Sequence, residues 1–287
     1  MARFPVNRRK FLGLAATGAV ALGGDATLIA PNRVRVVRQD VALARWPLAL
    51  NGFTIALLSD FHYDPYFSVH PIRSCIGIAN GLNPDLIALT GDYVSVPLFE
   101  ADAKGAESAE PCAELLKQLR APHGVWAVLG NHDFFTDPDR VTEALRSVRI
   151  PVLDNRSVAI ERNGARFWLS GVGDVIGNMA DPDRAVHNVP KDEAVVMMVH
   201  EPDYADRVAR YSVDLQLSGH THGGQVRLPF LPPLFLPELA KKYVWGFYQI
   251  GSLKLYTNPG IGTVEVPVRL NCPPEVTLLT VRRSERQ

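Results

Sequence analysis

Phe53-Thr54-Ile55-Ala56-Leu57-Leu58-Ser59-Asp60-Phe61-His62 is a short apolar run that ends abruptly in a polar cluster. The run shows no polar alternation, as suits a strand covered on both faces. A carboxylate and an imidazole sit two residues apart just beyond its end. The same arrangement returns four times. Leu86-Ile87-Ala88-Leu89 runs into Thr90-Gly91-Asp92, and Val125-Trp126-Ala127-Val128-Leu129 runs into Gly130-Asn131-His132-Asp133. Val195-Val196-Met197-Met198-Val199 meets His200-Glu201, and Val213-Asp214-Leu215-Gln216-Leu217 meets Ser218-Gly219-His220-Thr221-His222.

Between the first three runs the apolar residues change period. Ile72, Cys75, Ile76 and Ala79 share one helical face, as do Cys112, Leu115, Leu116 and Leu119. Asp137-Pro138 is a cap followed by proline at the first helical position, and predicts a third helix carrying Val141, Ala144, Leu145 and Val148 inward. Strand-helix alternation gives an α/β sheet, and sites in such sheets form beyond the carboxyl ends of the strands. The five polar clusters should therefore converge on one edge. After the third run the pattern changes: Val158-Ala159-Ile160 and Phe167-Trp168-Leu169 flank Asn163-Gly164, a strong hairpin signal. Leu253, Leu255 and Tyr256, then Val276 to Val281, make the C-terminal part β-rich as well. A second sheet stacked on the first predicts a four-layer αββα sandwich, two mixed β-sheets flanked by helices, over residues 45–283.

With 47% hydrophobic residues in 287, a substantial core is available. Lys+Arg and Asp+Glu are both 30, and four of the basic residues (Arg3, Arg8, Arg9, Lys10) precede the first acid at Asp25. Without that leader 26 basic residues face 30 acidic ones, a net −4 with no general attraction for nucleic acid. The three cysteines, Cys75, Cys112 and Cys272, form no CxxC or Cys/His zinc spacing and read as buried thiols.

Residues 1–30 have the anatomy of an export signal or anchor: Arg8-Arg9-Lys10-Phe11-Leu12, then an Ala/Gly-rich apolar stretch to Leu22. That stretch is shorter than the roughly 20 apolar residues of a spanning helix. The paired arginines resemble a twin-arginine signal, which implies the twin-arginine export machinery as a partner and a periplasmic or extracytoplasmic, membrane-associated location. Ala19-Val20-Ala21 has the small-x-small form of a cleavage site, and an uncleaved signal that tethers the chain is the other reading.

Of eight histidines, five (His62, His132, His200, His220, His222) directly follow buried-strand patterns. Each cluster alone is an ordinary cap or turn, but their joint occurrence has no comparably simple account. His70, His123 and His187 lie outside the clusters and read as loop or surface residues, while Asp64 and Asp174 follow strands with no partner to assign. In order, Asp60-x-His62, Gly91-Asp92, Gly130-Asn131-His132-Asp133, His200 and Gly219-His220-x-His222 resemble the calcineurin-like metallophosphoesterases. The resemblance spans about Asn51 to Thr280. Gly223-Gly224-Gln225 and Arg269-x-Asn271-x-Pro273-Pro274-Glu275 look most like the exported YkuE/YaeI branch.

The resemblance implies two divalent metal ions. Asp60, His62 and His222 would bind the first, Asn131, His200 and His220 the second, and Asp92 would bridge them. Mixed nitrogen and oxygen ligands suit manganese, zinc or iron. His132 would stabilise the transition state or protonate the leaving oxygen, with Asp133 holding its ring. The implied activity is hydrolysis of a phosphodiester, phosphomonoester or pyrophosphate. The rival reading is a non-catalytic, metal-loaded protein that binds cell-wall anionic polymer.

After the last histidine comes Val226-Arg227-Leu228-Pro229-Phe230-Leu231-Pro232-Pro233-Leu234-Phe235-Leu236-Pro237. This segment reads either as chain packed over the second sheet, or as an apolar wall for an acylated or prenylated phosphate or a contact with a membrane surface. Some lineages of the family hydrolyse lipid-linked pyrophosphates such as UDP-2,3-diacylglucosamine, so a phosphorylated small molecule or lipid is the expected substrate.

Overall fold

The apolar runs form strands because each is covered on both faces. The computed structural model describes residues 8–96 and 102–284; residues 1–7 of the expected signal segment lie outside it. β1 (Arg35–Leu43), β2 (Phe53–Leu58), β3 (Leu86–Leu89) and β4 (Val125–Ala127) come first along the chain. β5 (Arg156–Arg162), β6 (Ala165–Gly171), β7 (Val195–Met198) and β8 (Leu215–Ser218) follow. β9 (Gly246–Ile250), β10 (Leu253–Thr257) and β11 (Glu275–Arg283) complete the strands.

One sheet runs β1-β11-β2-β3-β4 and the other β5-β6-β7-β8-β10-β9. Both are mixed. β2, β3 and β4 are mutually parallel, while β11 is antiparallel to β2 and parallel to β1. β6, β7, β8 and β10 are mutually parallel, with β5 and β9 antiparallel at the two edges. Phe53, Ile55 and Leu57 of β2 meet Phe167, Leu169 and Leu217 between the sheets. Ala56 and Leu58 face the other way, onto Cys75 and Ile76 of α2 (Val69–Gly81) and Cys112 and Leu116 of α3 (Ala109–Leu116). The helix that begins after Asp137 spans Pro138–Ser147 and is capped by the Asp137 carboxylate, which accepts from the Arg140 amide at 3.0 Å. The outer face of the second sheet carries Val195, Met197 and Leu255 beneath short helical turns, and the αββα layering is complete. Each such side chain contributes about 1.5–3 kcal/mol by leaving water.

Three features differ from the sequence expectation. The first sheet begins at Arg35, upstream of the expected domain start at 45, because β1 adds a parallel edge strand along the whole of β11. β9 is a second edge strand that the run pattern does not show. The leader helix is also longer than its apolar stretch to Leu22. α1 (Arg8–Gly24) continues through a π turn, Asp25–Ile29, and a 3-10 turn, Ala30–Asn32. The whole is a 25-residue helical run long and apolar enough to cross a membrane. Its last turns are held because Ala26, Ala30 and Pro31 are buried on the domain, and the Ala26 carbonyl accepts from the Arg269 amide at 2.9 Å.

Candidate metal centre

The carboxyl ends of β2, β3 and β4 meet those of β7 and β8 across the gap between the sheets. Asp60, His62 and His222 each bring one donor atom within 4.8 Å of the others, and Asp92, His200 and His220 do the same. His62 Nε2 lies 3.0 Å from His222 Nε2, which is 3.4 Å from Asp60 Oδ1. His200 Nε2 lies 3.2 Å from His220 Nδ1. One oxygen, Asp92 Oδ2, is 3.1 Å from His200 Nε2 and 3.4 Å from His62 Nε2, and so stands between the two sets. The Asn131 side-chain carbonyl is buried beside them with no hydrogen-bond partner among the described residues. Imidazole nitrogens facing one another and an unsatisfied buried oxygen cannot satisfy themselves. Two divalent cations would satisfy all of them, so the donor set fits the pair of ions.

The histidines are aimed by their other nitrogens. His200 Nδ1–H donates to the Thr90 carbonyl at 2.6 Å, and His220 Nε2–H to the Glu238 carbonyl at 2.7 Å. His62 Nδ1 lies 3.0 Å from the Ser95 hydroxyl. Such contacts fix which nitrogen faces a metal. Burial raises the Asp60 carboxyl and lowers His220 to about 3 and His222 well below the ordinary histidine range. Burial would also raise Asp92, but the neighbouring His200 holds it well below the usual carboxylate range, and Asp92 in turn raises His200 well above the ordinary histidine range against burial. His220 and His222 are thus neutral beside an ionised Asp92, as metal ligation requires, while a cation bound at His200 would displace the proton that Asp92 holds there.

The backbone here is unusual in a way no residue pattern announces. Asp60, His62, Asp92, His220 and His222 all have positive φ, between 41° and 69°. Left-handed non-glycine residues are uncommon and cluster at functional sites. The tight turns bring the strand ends together, and two glycines permit the approach. A β-carbon on Gly219 would run into Ser59 and Asp60, and one on Gly130 into Asp92 and His200. Behind Asp60, the fully buried Arg269 guanidinium donates to the carbonyls of Pro259, Gly262 and Cys272 at 2.5–3.1 Å. It thereby fixes the turn whose Gly262 amide donates to the Asp60 carbonyl at 2.7 Å.

His132 and Asp133 part company. Asp133 does not hold the His132 ring. Its carboxylate is fully buried and accepts from the amides of Asp92 and Tyr93 at 2.8 Å, Gly130 at 2.9 Å and Val94 at 3.2 Å. It is a positioning residue that fastens the turn after β3 to the start of α4 (Asn131–Thr136). Burial and the Asp92 charge push it up to about 7, against the pull of those amides. The partner of His132 is instead the Val96 amide, which donates to Nδ1 at 2.9 Å. That bond puts the ring proton on Nε2, and burial lowers the ring to about 4, so His132 is neutral. It stands edge-on to His62 with centroids 4.7 Å apart.

A cleft of about 620 Å³ opens over this centre. Asp92, Asn131, His132 and His222 line its floor, and Leu234, Phe235 and Val266 its wall. The proline-rich segment is therefore not packed down over the second sheet: Phe230, Leu231, Leu234 and Phe235 are all exposed. Among the residues set aside, His70 and His187 are exposed and His123 is half-buried, its ring 5.3 Å from that of Phe53. Asp64 accepts from the amides of Tyr66 and Phe67, and Asp174 from that of Gly177. All three cysteines are buried free thiols.

A family model, calcineurin-like phosphoesterase, matches residues 53–224, from β2 to just beyond His222. The chain is 31% identical over 286 residues to the metallophosphoesterase YkuE of Bacillus subtilis, covering 96% of this chain and 98% of that one. It is 33% identical over 280 residues to the phosphodiesterase YaeI of Escherichia coli, with the same two coverages, 96% and 98%. A transmembrane protein with metallophosphoesterase domain from Danio rerio is 28% identical over 291 residues, covering 96% of this chain and 63% of that protein.

Proposed function

Because the chain belongs to the calcineurin-like phosphoesterases, we propose that it hydrolyses a phosphodiester with two divalent ions held between its sheets, and that its preferred substrate is amphiphilic. The observation that carries this reading is the single oxygen of Asp92 placed between two complete donor sets. Asp60, His62 and His222 would hold one ion, Asn131, His200 and His220 the other, with Asp92 serving both. Manganese, zinc or iron suits these donors. When bound, the ions supply the Lewis-acid charge that makes a nucleophile of water and offsets the phosphoryl oxygens.

The protein's own part is orientation and hydrogen bonding. With Nδ1 occupied by the Val96 amide, His132 offers a neutral Nε2–H donor at the floor of the cleft. It acts on the phosphoryl or leaving oxygen as charge develops there, and needs no imidazolium form. The apolar wall of Leu234, Phe235 and Val266 limits water and suits an acyl or prenyl tail. A lipid-linked phosphate or pyrophosphate, of which a UDP-2,3-diacylglucosamine-like glycolipid is one form, has both parts. The Arg8-Arg9 pair that opens α1 supports twin-arginine export and a membrane-associated extracytoplasmic location.

The test is turnover of bis-p-nitrophenyl phosphate by purified protein, stripped with chelator and reloaded with Mn²⁺ or Zn²⁺. Activity should vanish on stripping and return on loading. A protein that takes up both metals and hydrolyses no phosphoester would be a metal-loaded binder of anionic polymer instead.

A further inference from the structure

We infer that the rim of the metal cleft is a membrane-docking face, which rests on a lipid bilayer while α1 is embedded in it. This goes beyond the phosphodiesterase reading and does not depend on turnover.

The argument starts from apolar surface that folding leaves uncovered. No residue of α1 is buried, although the run it opens is long and apolar enough to cross a membrane. Tyr66 and Phe67 are exposed at 85% and 57%, and Val266 at 53%. Phe230 is wholly exposed, and Leu231 more than half. Contiguous apolar surface of this kind marks an interaction site. The segment around Phe230 does not reach it by slack. Pro229, Pro232 and Pro233 stiffen it, and Phe230 itself is in the left-handed region at φ 65°, which an aromatic residue rarely adopts.

These patches are neighbours: at the root of the proline-rich segment the Gln225 side-chain amide donates to the Val264 and Val266 carbonyls at 3.1 and 3.2 Å. Where the α1 run meets the domain, Leu28 and Pro31 line one groove together with Tyr66, Phe67, Thr263 and Pro267. The residues between the last two, Val264 to Val266, line the metal cleft opposite Leu234 and Phe235. One short segment thus joins the foot of the helix to the mouth of the cleft. Residues 8–24, at about 1.5 Å of rise each, would occupy most of an apolar bilayer core. A bilayer holding that helix lies against the patch beside its foot, which is why the occupant is lipid rather than a soluble partner. The cleft then opens onto the headgroup layer, where an amphiphilic phosphoester keeps its tail in the membrane.

The experiment uses the full chain in phospholipid vesicles. Its three native thiols are buried, so a single introduced cysteine takes a fluorescent label selectively. Labels are placed singly by Tyr66→Cys, Phe230→Cys and Val266→Cys. Glu161→Cys is the control, in the β5–β6 hairpin at the end of the second sheet away from the metal centre. Lipids brominated in their acyl chains should quench the first three labels by about twofold or more, and leave the fourth unchanged, as for side chains inserted roughly 5–10 Å into the interface. Equal, weak quenching at all four sites would overturn the proposal. So would labels equally shielded without lipid, which would show a second copy covering the face. A chain that docks but hydrolyses nothing would sink the proposed reaction and leave docking standing; an active chain that does not dock would do the reverse.

Discussion

His220 turns one nitrogen to the metal centre from a backbone at φ 69°. The left-handed conformation costs an L-residue about 1–2 kcal/mol, which glycine escapes. His220→Gly and His220→Ala remove the same ligand, so any difference between them reports the backbone alone. In chelator, where no ion contributes, the glycine variant should be the more stable by about that amount in urea unfolding. Equal midpoints would show a turn that relaxes freely. His132 is tested by function. His132→Ala should keep both metals and lower kcat by about 10²–10³, the usual loss of one positioned donor. A loss that shrinks with p-nitrophenolate as leaving group would place Nε2–H on the leaving oxygen, and a uniform loss would place it on the phosphoryl oxygens. Collapse of metal content would make His132 a ligand. The donor side chains were legible in the sequence because each directly follows an apolar run. The role expected of Asp133 was not correct, and helix geometry explains why. His132 and Asp133 are consecutive residues of α4, and neighbours on a helix do not face each other. The Asp133 side chain turns inward to amides that no local pattern reveals.

At the scale of elements, legibility followed coverage. β2, β3, β7 and β8 are buried along nearly their whole length, and an unbroken apolar run has few other meanings. β1 is an edge strand that is largely open to solvent, so its mixed sequence carries no period to read. The α1 run outlasts its apolar stretch because Ala26 and Ala30 find tertiary partners, which composition does not show. The proline-rich segment was ambiguous for a related reason: apolar residues without a period suit a buried segment and an exposed wall alike. Its exposure gives the ambiguity a functional edge. Burying one Phe side chain against an acyl tail contributes about 1.5–3 kcal/mol, and about 1.4 kcal/mol is a decade of affinity. Changing Phe230 and Phe235 together to Ser should raise KM for a long-chain phosphodiester at least tenfold, and cost a short soluble diester far less. Parallel losses on both substrates, with a lowered melting temperature, would mean that the segment supports the fold rather than the tail.

The whole molecule is two sheets whose metal-binding side chains meet at one shared edge. Asp60 and His62 come from the first sheet and His222 from the second; Asp92 comes from the first, His200 and His220 from the second. Each ion would therefore be gripped from both sides and would fasten one sheet to the other. Without ions, the buried Asp60 and Asp92 carboxylates repel each other and several left-handed turns remain strained, so this edge works against the fold. Ligand binding to the native state alone adds about 2.7 kcal/mol for each ion at a hundredfold excess over its Kd. Two ions would supply roughly 5 kcal/mol, and in a domain of this size each kcal/mol moves Tm by about 2–4 °C. Melting with Mn²⁺ should thus exceed melting in chelator by about 10–20 °C. Asp92→Asn should forfeit most of that gain, because its oxygen serves both sets, whereas Asn131→Ala, which touches one set, should forfeit less. Calorimetry of the three proteins with and without metal checks the order. Identical melting of the native chain in Mn²⁺ and in chelator would mean that the sheets are held by apolar contact alone, and that the centre takes up metal without fastening them.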